Sequence, residues 1–255
     1  MGSRTLAGLL PALCPLTFLF FSSGCATFSF EGKARTLKAN ETQIAAAGDV
    51  EVQQVQSGST TRYAPVIGTA VGMHYGITDT LEADFATNLT FADAALKVQL
   101  LRSPSSSSGL DVAIAPGIGG HWWGYYDFDA HVSALFGVNL PGKHELIVTP
   151  RGVWDPIFRY YEAGGSIGFA WQATDRAILV PQINVMYLHG YGTGPSVSYG
   201  ALSGDISGIV IGIGLGGLIT PPWSADIPSD EGDSNSDSGS NGSSNSSGSN
   251  SDFER

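Results

Sequence analysis

Several things are scarce in this chain, and each scarcity closes off a class of function. The chain of 255 residues has two cysteines, Cys14 and Cys25. Cys14 falls inside an N-terminal apolar run that reads as a cleaved export signal, so the mature chain has no partner for an internal disulfide. Basic residues are few: 12 Lys and Arg against 23 Asp and Glu give a formal net charge of -11, which argues against a nucleic-acid partner. Part of that negative charge lies in the C-terminal tail, so it says little about a substrate. A long apolar helix is also missing. Leu6 to Phe21 is an apolar run of about 16 residues broken by Pro11 and Pro15, short of the roughly 20 that a membrane-spanning helix needs. The histidines His74, His121, His131, His144 and His189 are scattered without metal-ligand spacing, so the sequence implies no metal. Gly212, Gly214 and Gly216 precede no helix and are a small-residue strand face, not a phosphate loop. No cofactor is implied.

What the chain has in abundance is a period of two. Phe128, Ala130, Val132, Ala134, Phe136, Val138 and Leu140 alternate with Asp129, His131, Ser133, Leu135, Gly137 and Asn139, a pattern that a helix would scatter around its circumference. Pro141-Gly142-Lys143 then leads into a second strand, His144 to Trp154, making a hairpin. The pattern recurs along the chain. Segments around Ile44 to Val52, Tyr63 to Tyr75, Leu81 to Leu89, Ala92 to Leu100 and Leu110 to Ile118 precede the hairpin. Ile167 to Trp171, Leu179 to Tyr187 and Ile209 to Leu215 follow it, for an expected ten strands. Strands of membrane length run about 9 to 11 residues, where ordinary sandwich strands run about 5 or 6.

One face of every segment is apolar, and the other carries charged or polar residues in most segments and small ones, Gly and Ala, in the rest. The expected fold is therefore all-β: a closed antiparallel transmembrane β-barrel, because unpaired backbone groups at a sheet edge cannot be left in hydrocarbon. Its narrow interior would hold a polar network of Glu82, Asp84, Lys97, Gln99, Asp111, Asp129, Glu145 and Arg151. A turn at Thr90-Phe91 sets Asp84 opposite Lys97, Glu82 opposite Gln99 and Asn88 opposite Asp93. The three-residue hairpin loop sets Arg151 opposite Ser133. The competing architecture is a soluble barrel or sandwich with the apolar face as its core.

The expected organisation is a signal peptide over 1–24, a linker over 25–41, the barrel over 42–220 and a disordered Ser/Gly/Asn/Asp-rich tail over 221–255. Ser23-Gly24 before Cys25 resembles the lipobox of bacterial lipoproteins, which implies a diacylglycerol on Cys25. A cut after Ala26 would remove that cysteine instead. Connections after the second, sixth and eighth strands are tight. Those after the fifth, seventh and ninth are expected to be long and aromatic, with Trp122, Trp123, Tyr125 and Tyr126, then Trp154, Phe158, Tyr160 and Tyr161, then Tyr191 and Tyr199.

Over residues 42–220 the chain resembles the small outer-membrane β-barrels of Gram-negative bacteria, in pattern and topology. That resemblance implies an outer-membrane location with the N-terminus and tail periplasmic. It also implies contact with outer-membrane lipids and, through the long aromatic loops, with envelope proteins. His131-Val132-Ser133, followed by Asn139, Pro141 and Gly142, is similar to the His-x-Ser segment of the outer-membrane lipid A deacylases. There Ser is the nucleophile and His its base, roles that would fall to Ser133 and His131. Both residues point inward by parity, away from a lipid substrate. The expectation is therefore a structural or interaction protein and not an enzyme, with a lipid-modifying hydrolase as the alternative and a soluble ligand-binding barrel third.

Overall fold

A computed structural model describes residues 32–88, 90–122, 127–157, 159–191, 194–196, 200–202 and 205–224. The chain runs through β1 (Thr42–Ser57), β2 (Thr60–Thr78), β3 (Leu81–Thr87), β4 (Phe91–Leu101), β5 (Gly109–His121) and β6 (Asp127–Leu140). It continues through β7 (His144–Asp155), β8 (Tyr160–Thr174), β9 (Ala177–Tyr191), β10 (Gly194–Ser196), β11 (Gly200–Leu202) and β12 (Asp205–Ile219). Each barrel strand pairs antiparallel with its sequence neighbour, and β12 pairs with both β9 and β1, so ten strands close into a barrel. β10 and β11 form a separate two-stranded ribbon between β9 and β12. The proposed signal, Cys25 and most of the tail lie outside the described residues.

Alternation sets the two faces as the sequence predicts. Ile44, Val50, Val52, Ile67, Val71, Phe85, Val148, Ile167, Ile183, Ile211 and Ile213 are exposed on the outside, while Asp49, Glu51, Glu82, Lys97, Asp111, Glu145 and Glu162 are buried inside. A soluble barrel would place these two sets the other way round, so the soluble alternatives fail on the direction of the side chains. The near end of the barrel, holding Thr42 and Ile219, has the tight β2–β3, β6–β7 and β8–β9 turns. The far end carries the β1–β2, β3–β4, β5–β6 and β7–β8 connections and the β10–β11 ribbon.

Two expectations about pairing meet different outcomes. In the β6–β7 hairpin Ser133 faces Arg151 and Asn139 faces Glu145, as the three-residue loop requires. Between β3 and β4, Glu82 faces Lys97 and Asp84 faces Ala95, a shift of two residues from the expected register. Asn88 is the reason. Its Oδ1 accepts from the amides of Thr90 (2.7 Å) and Phe91 (3.0 Å), and the Asn88 amide donates to the Phe91 carbonyl (3.1 Å). The turn is thus closed between Asn88 and Phe91 and centred before Thr90, and not on Thr90-Phe91.

A second correction concerns the far end. β8 begins at Tyr160, so Trp154, Tyr160 and Tyr161 belong to strands, and the seventh connection is short where a long aromatic loop was expected. Gly164 and Gly165 had interrupted the apolar alternation that would have extended the strand. Trp122, Trp154 and Tyr161 are exposed. Trp123, Tyr125, Tyr126, Phe158 and Tyr199 lie outside the described residues, and the Tyr191 side chain is likewise outside them.

The residues from Gly32 to Glu41 carry no regular structure, yet they do not trail away from the barrel. Ala34 and Thr36 are buried and Leu37 nearly so, and Ala34 packs with Ala113, Ala115 and Leu135 of the barrel wall. This stretch, read from the sequence as linker, enters the near end and lies against the inner wall. Beside it Ala45, Ile147, Ala170, Ile178, Val180 and Leu218 form an apolar patch facing inward.

Candidate functional site: a filled lumen

The inner wall holds the entering segment by donors and acceptors placed at its backbone. The Ala34 amide donates to Glu145 Oε1 at 2.9 Å, the Thr36 amide to Gln99 Oε1 at 2.7 Å and the Leu37 amide to Glu82 Oε2 at 2.6 Å. In return Arg102 donates to the Thr36 carbonyl at 2.7 Å. Strand alternation puts each of these acceptors inward, and a buried peptide N–H left unmade would cost about 1 to 3 kcal/mol. The segment's side chains add charge. Arg35 Nε donates to Asp111 Oδ2 at 2.9 Å, and its terminal nitrogen donates to the carbonyls of Ser103 (2.9 Å) and Ser105 (3.0 Å). Lys33 Nζ lies 3.7 Å from Glu145 Oε2, and burial lowers its pKa from the ordinary lysine value while Glu145 acts against that fall.

Glycine makes room at one contact. A Cβ at Gly137 would sit 1.8 Å from Glu145 Oε1 and 2.7 Å from the Ala34 methyl, so only a glycine admits both the carboxylate and the segment. A cavity of about 540 Å³ remains beside the segment, lined among others by Lys33, Lys38, Arg102, Lys143 and Gln172, and it is bounded above by His74, Glu82 and Lys97.

Those three residues, with Asp84, make the first of two buried histidine–carboxylate groups. The Lys97 ammonium sits on Glu82 Oε1 and lies 3.6 Å from Asp84 Oδ2; His74 Nδ1 is 2.6 Å from Asp84 Oδ1 and 3.4 Å from Glu82 Oε1. Of the eight residues expected in a polar lumen, Glu82, Asp84 and Lys97 thus meet in one group. Gln99, Asp111 and Glu145 grip the N-terminal segment, with Asn139 donating to Asp111 Oδ2 at 2.8 Å. Asp129 and Arg151 lie toward the far end. Sequence parity missed His74 as a member, although its inward position on the second strand was legible.

The second group is His131 with Asp129 and Asp93. His131 Nδ1 is 3.3 Å from Asp129 Oδ1 and 3.5 Å from Asp93 Oδ2. Gly117 and Gly119 on β5 leave the space: a Cβ at Gly117 would lie 2.2 Å from His131 Nε2, and one at Gly119 would lie 2.6 Å from Asp129 Oδ2. Ser133, on the same strand as His131, is fully buried and faces Arg151 across the hairpin. Both candidate catalytic residues therefore face the lumen and not the bilayer. Farther round the wall Asn184 donates to Glu51 Oε1 at 2.8 Å, and Glu162 lies in the fields of Arg151, Glu51, Asp129 and Asp155.

An apolar outer belt around a lumen filled by side chains and by the chain's own N-terminal stretch defines a plugged membrane β-barrel. No protein-family model matches the chain, and no curated protein sequence matches it. Among solved structures it is similar to the outer membrane protease OmpT from Escherichia coli, at 10% identity and a TM-score of 0.44, covering 76% of this chain and 100% of that one. It is also similar to the outer membrane protein OprG from Pseudomonas aeruginosa (11% identity, TM-score 0.26, 74% of this chain and 100% of that one). A third is Ail, the attachment invasion locus protein of Yersinia pestis (11% identity, TM-score 0.24, 71% and 99%). At these identities and scores the likeness assigns no role to any residue.

Proposed function

We propose that this chain is a bacterial outer-membrane β-barrel lipoprotein, anchored through Cys25, that serves a structural or interaction role in the cell envelope and does not conduct. The observation that carries this reading is the seat of Ala34 to Leu37 inside the near end, with three backbone amides bonded to Glu145, Gln99 and Glu82. A barrel that conducts as a steady channel needs an open, water-filled lumen. Here backbone, buried charges and an apolar patch occupy it.

On this reading the near end, the N-terminus and the C-terminal tail are periplasmic, and the far-end connections with their aromatic residues meet envelope partners outside. The lipid anchor and the plug reinforce one another. A lipidated Cys25 lies only a few residues before Gly32, a reach of about 3.3 to 3.6 Å per residue if extended, so the anchor holds the segment close to its seat.

Planar-bilayer recording tests the plug. The wild-type barrel is expected to show no steady channel, and a variant lacking residues 32–41 to show discrete steps. Stable single-channel steps from the wild type overturn the proposal. For the anchor, Cys25→Ala is expected to abolish incorporation of labelled palmitate, and unchanged labelling removes lipidation at that residue.

A further inference from the structure

The two halves of the lumen are balanced differently in charge. In the near half each buried carboxylate meets a cation from the protein: Glu82 and Asp84 meet Lys97, Asp111 meets Arg35 and Glu145 meets Lys33. Toward the far end Asp93, Asp129, Asp155 and Glu162 line the wall, with Asp49 and Glu51 midway along β1. Among the described inward residues of that half Arg151 is the basic side chain on the wall, with the His131 imidazole near it and Arg62 at the exposed rim. Asp49 is 4% exposed and shares its side of β1 with the fully buried Glu51, so two carboxylates lie side by side there. Carboxylates held together in so narrow a space must take up a proton or share a cation.

The donor geometry shows where such a cation fits. The ligand atoms of His131, Asp129 and Asp93 lie within 4.8 Å of one another. The separations of 3.3 and 3.5 Å from Nδ1 to the two carboxylate oxygens are long for a charge-assisted hydrogen bond. They match the spacing of about 3.3 to 3.6 Å that two ligands show at a tetrahedral angle around a metal with bonds of about 2.0 to 2.2 Å. The near group differs: there the Lys97 ammonium already occupies the position between Glu82 and Asp84.

We propose that His131 Nδ1, Asp129 and Asp93 bind a divalent transition-metal ion of the zinc or manganese class in the far half of the lumen, with water from the lumen completing its coordination. One imidazole and two carboxylates favour such an ion over calcium, which takes six to eight oxygens. The ion would tie β4 to β6 across the intervening β5, a link that no backbone hydrogen bond supplies. This site goes beyond the envelope role proposed above and does not depend on it.

The test is a calorimetric titration of the chelator-treated, full-length barrel in detergent with Zn²⁺. The wild type is expected to take up one equivalent, and Asp93→Asn and His131→Gln to bind at least tenfold more weakly. His74→Gln, in the near group, is expected to bind as the wild type does. Heat-modifiable migration on gels confirms that each variant is folded. A measurement on the wild type alone guards against variants that fail to fold: Co²⁺ loading is expected to give one paramagnetically shifted imidazole N–H resonance. The proposal is overturned if zinc uptake does not saturate at millimolar concentration or if His131→Gln binds as tightly as the wild type. Absence of the shifted imidazole resonance also overturns it.

Discussion

The Leu37 amide donates to Glu82 Oε2 at 2.6 Å while the Lys97 ammonium sits on the other oxygen of the same carboxylate. One buried side chain therefore joins the entering segment to the barrel wall and neutralises a charge from the next strand. Because all three groups are shielded from water, the loss of any one leaves another unsatisfied, and the cost falls on both the wall and the plug.

That coupling predicts how lysine and glutamate variants behave together. Lys97→Met strands Glu82 and is expected to destabilise the barrel by about 3 to 5 kcal/mol, as breaking one side of a buried pair does. Adding Glu82→Gln removes the stranded charge and keeps an acceptor for the Leu37 amide, so the double variant is expected to recover most of the loss. The readout is the midpoint of the heat-modifiable transition. Equal midpoints for single and double variants would show that the pair is not coupled.

Gly137→Ala tests the seat of the segment without touching a charge. The added methyl collides with Glu145 Oε1 and the Ala34 side chain, so the carboxylate has to swing and the segment to lift. Trypsin sites at Lys33, Arg35 and Lys38 are expected to be cut several-fold faster in the variant, while the barrel itself stays resistant. Unchanged cleavage would mean that the segment is not held at this point.

Much of this arrangement was readable in the sequence, and what was not has a physical cause. Strand number, the apolar exterior and the β6–β7 register follow from a period of two and a loop with one geometry, so Ser133 opposite Arg151 was legible. The β3–β4 register was not, since it turns on an Asn88 side chain that closes the turn a residue earlier than a count of alternating positions suggests. The plug was hidden for a different reason. Residues 32–41 have no period, and their backbone amides, which do the binding, leave no mark on composition. The signal that remained was Lys33 and Arg35 preceding a barrel with an inward surplus of carboxylates. His131 and Asp129 were placed inside by parity, but Asp93 reaches them only because two strands separated by β5 curve around Gly117 and Gly119.

Ser133→Ala is expected to leave the lipid A acylation pattern of the producing cell unaltered, because the hydroxyl is buried in the lumen and the ring beside it is engaged by carboxylates. Mass spectrometry of extracted lipid A is the check. Loss of a 3-O-deacylated species in the variant would move Ser133 and His131 into the catalytic roles that their sequence motif resembles.

Ile213 gives the sharpest test that the outer belt meets hydrocarbon. It lies at the middle of β12, faces Val50 on one neighbour and Ile183 on the other, and is 64% exposed. In water so exposed an isoleucine gains nothing from being apolar, and Ile213→Lys would change stability by less than about 0.5 kcal/mol. In a bilayer the same lysine near the midplane costs about 2 to 4 kcal/mol, less if its ammonium reaches an interface. Val66→Lys is no substitute, since that residue points inward and would report crowding instead. Urea unfolding of the barrel folded into liposomes is therefore expected to show Ile213→Lys destabilised by about 2 kcal/mol or more. A change within about 0.5 kcal/mol would mean that this face does not contact lipid, and the transmembrane reading of the barrel would fall with it.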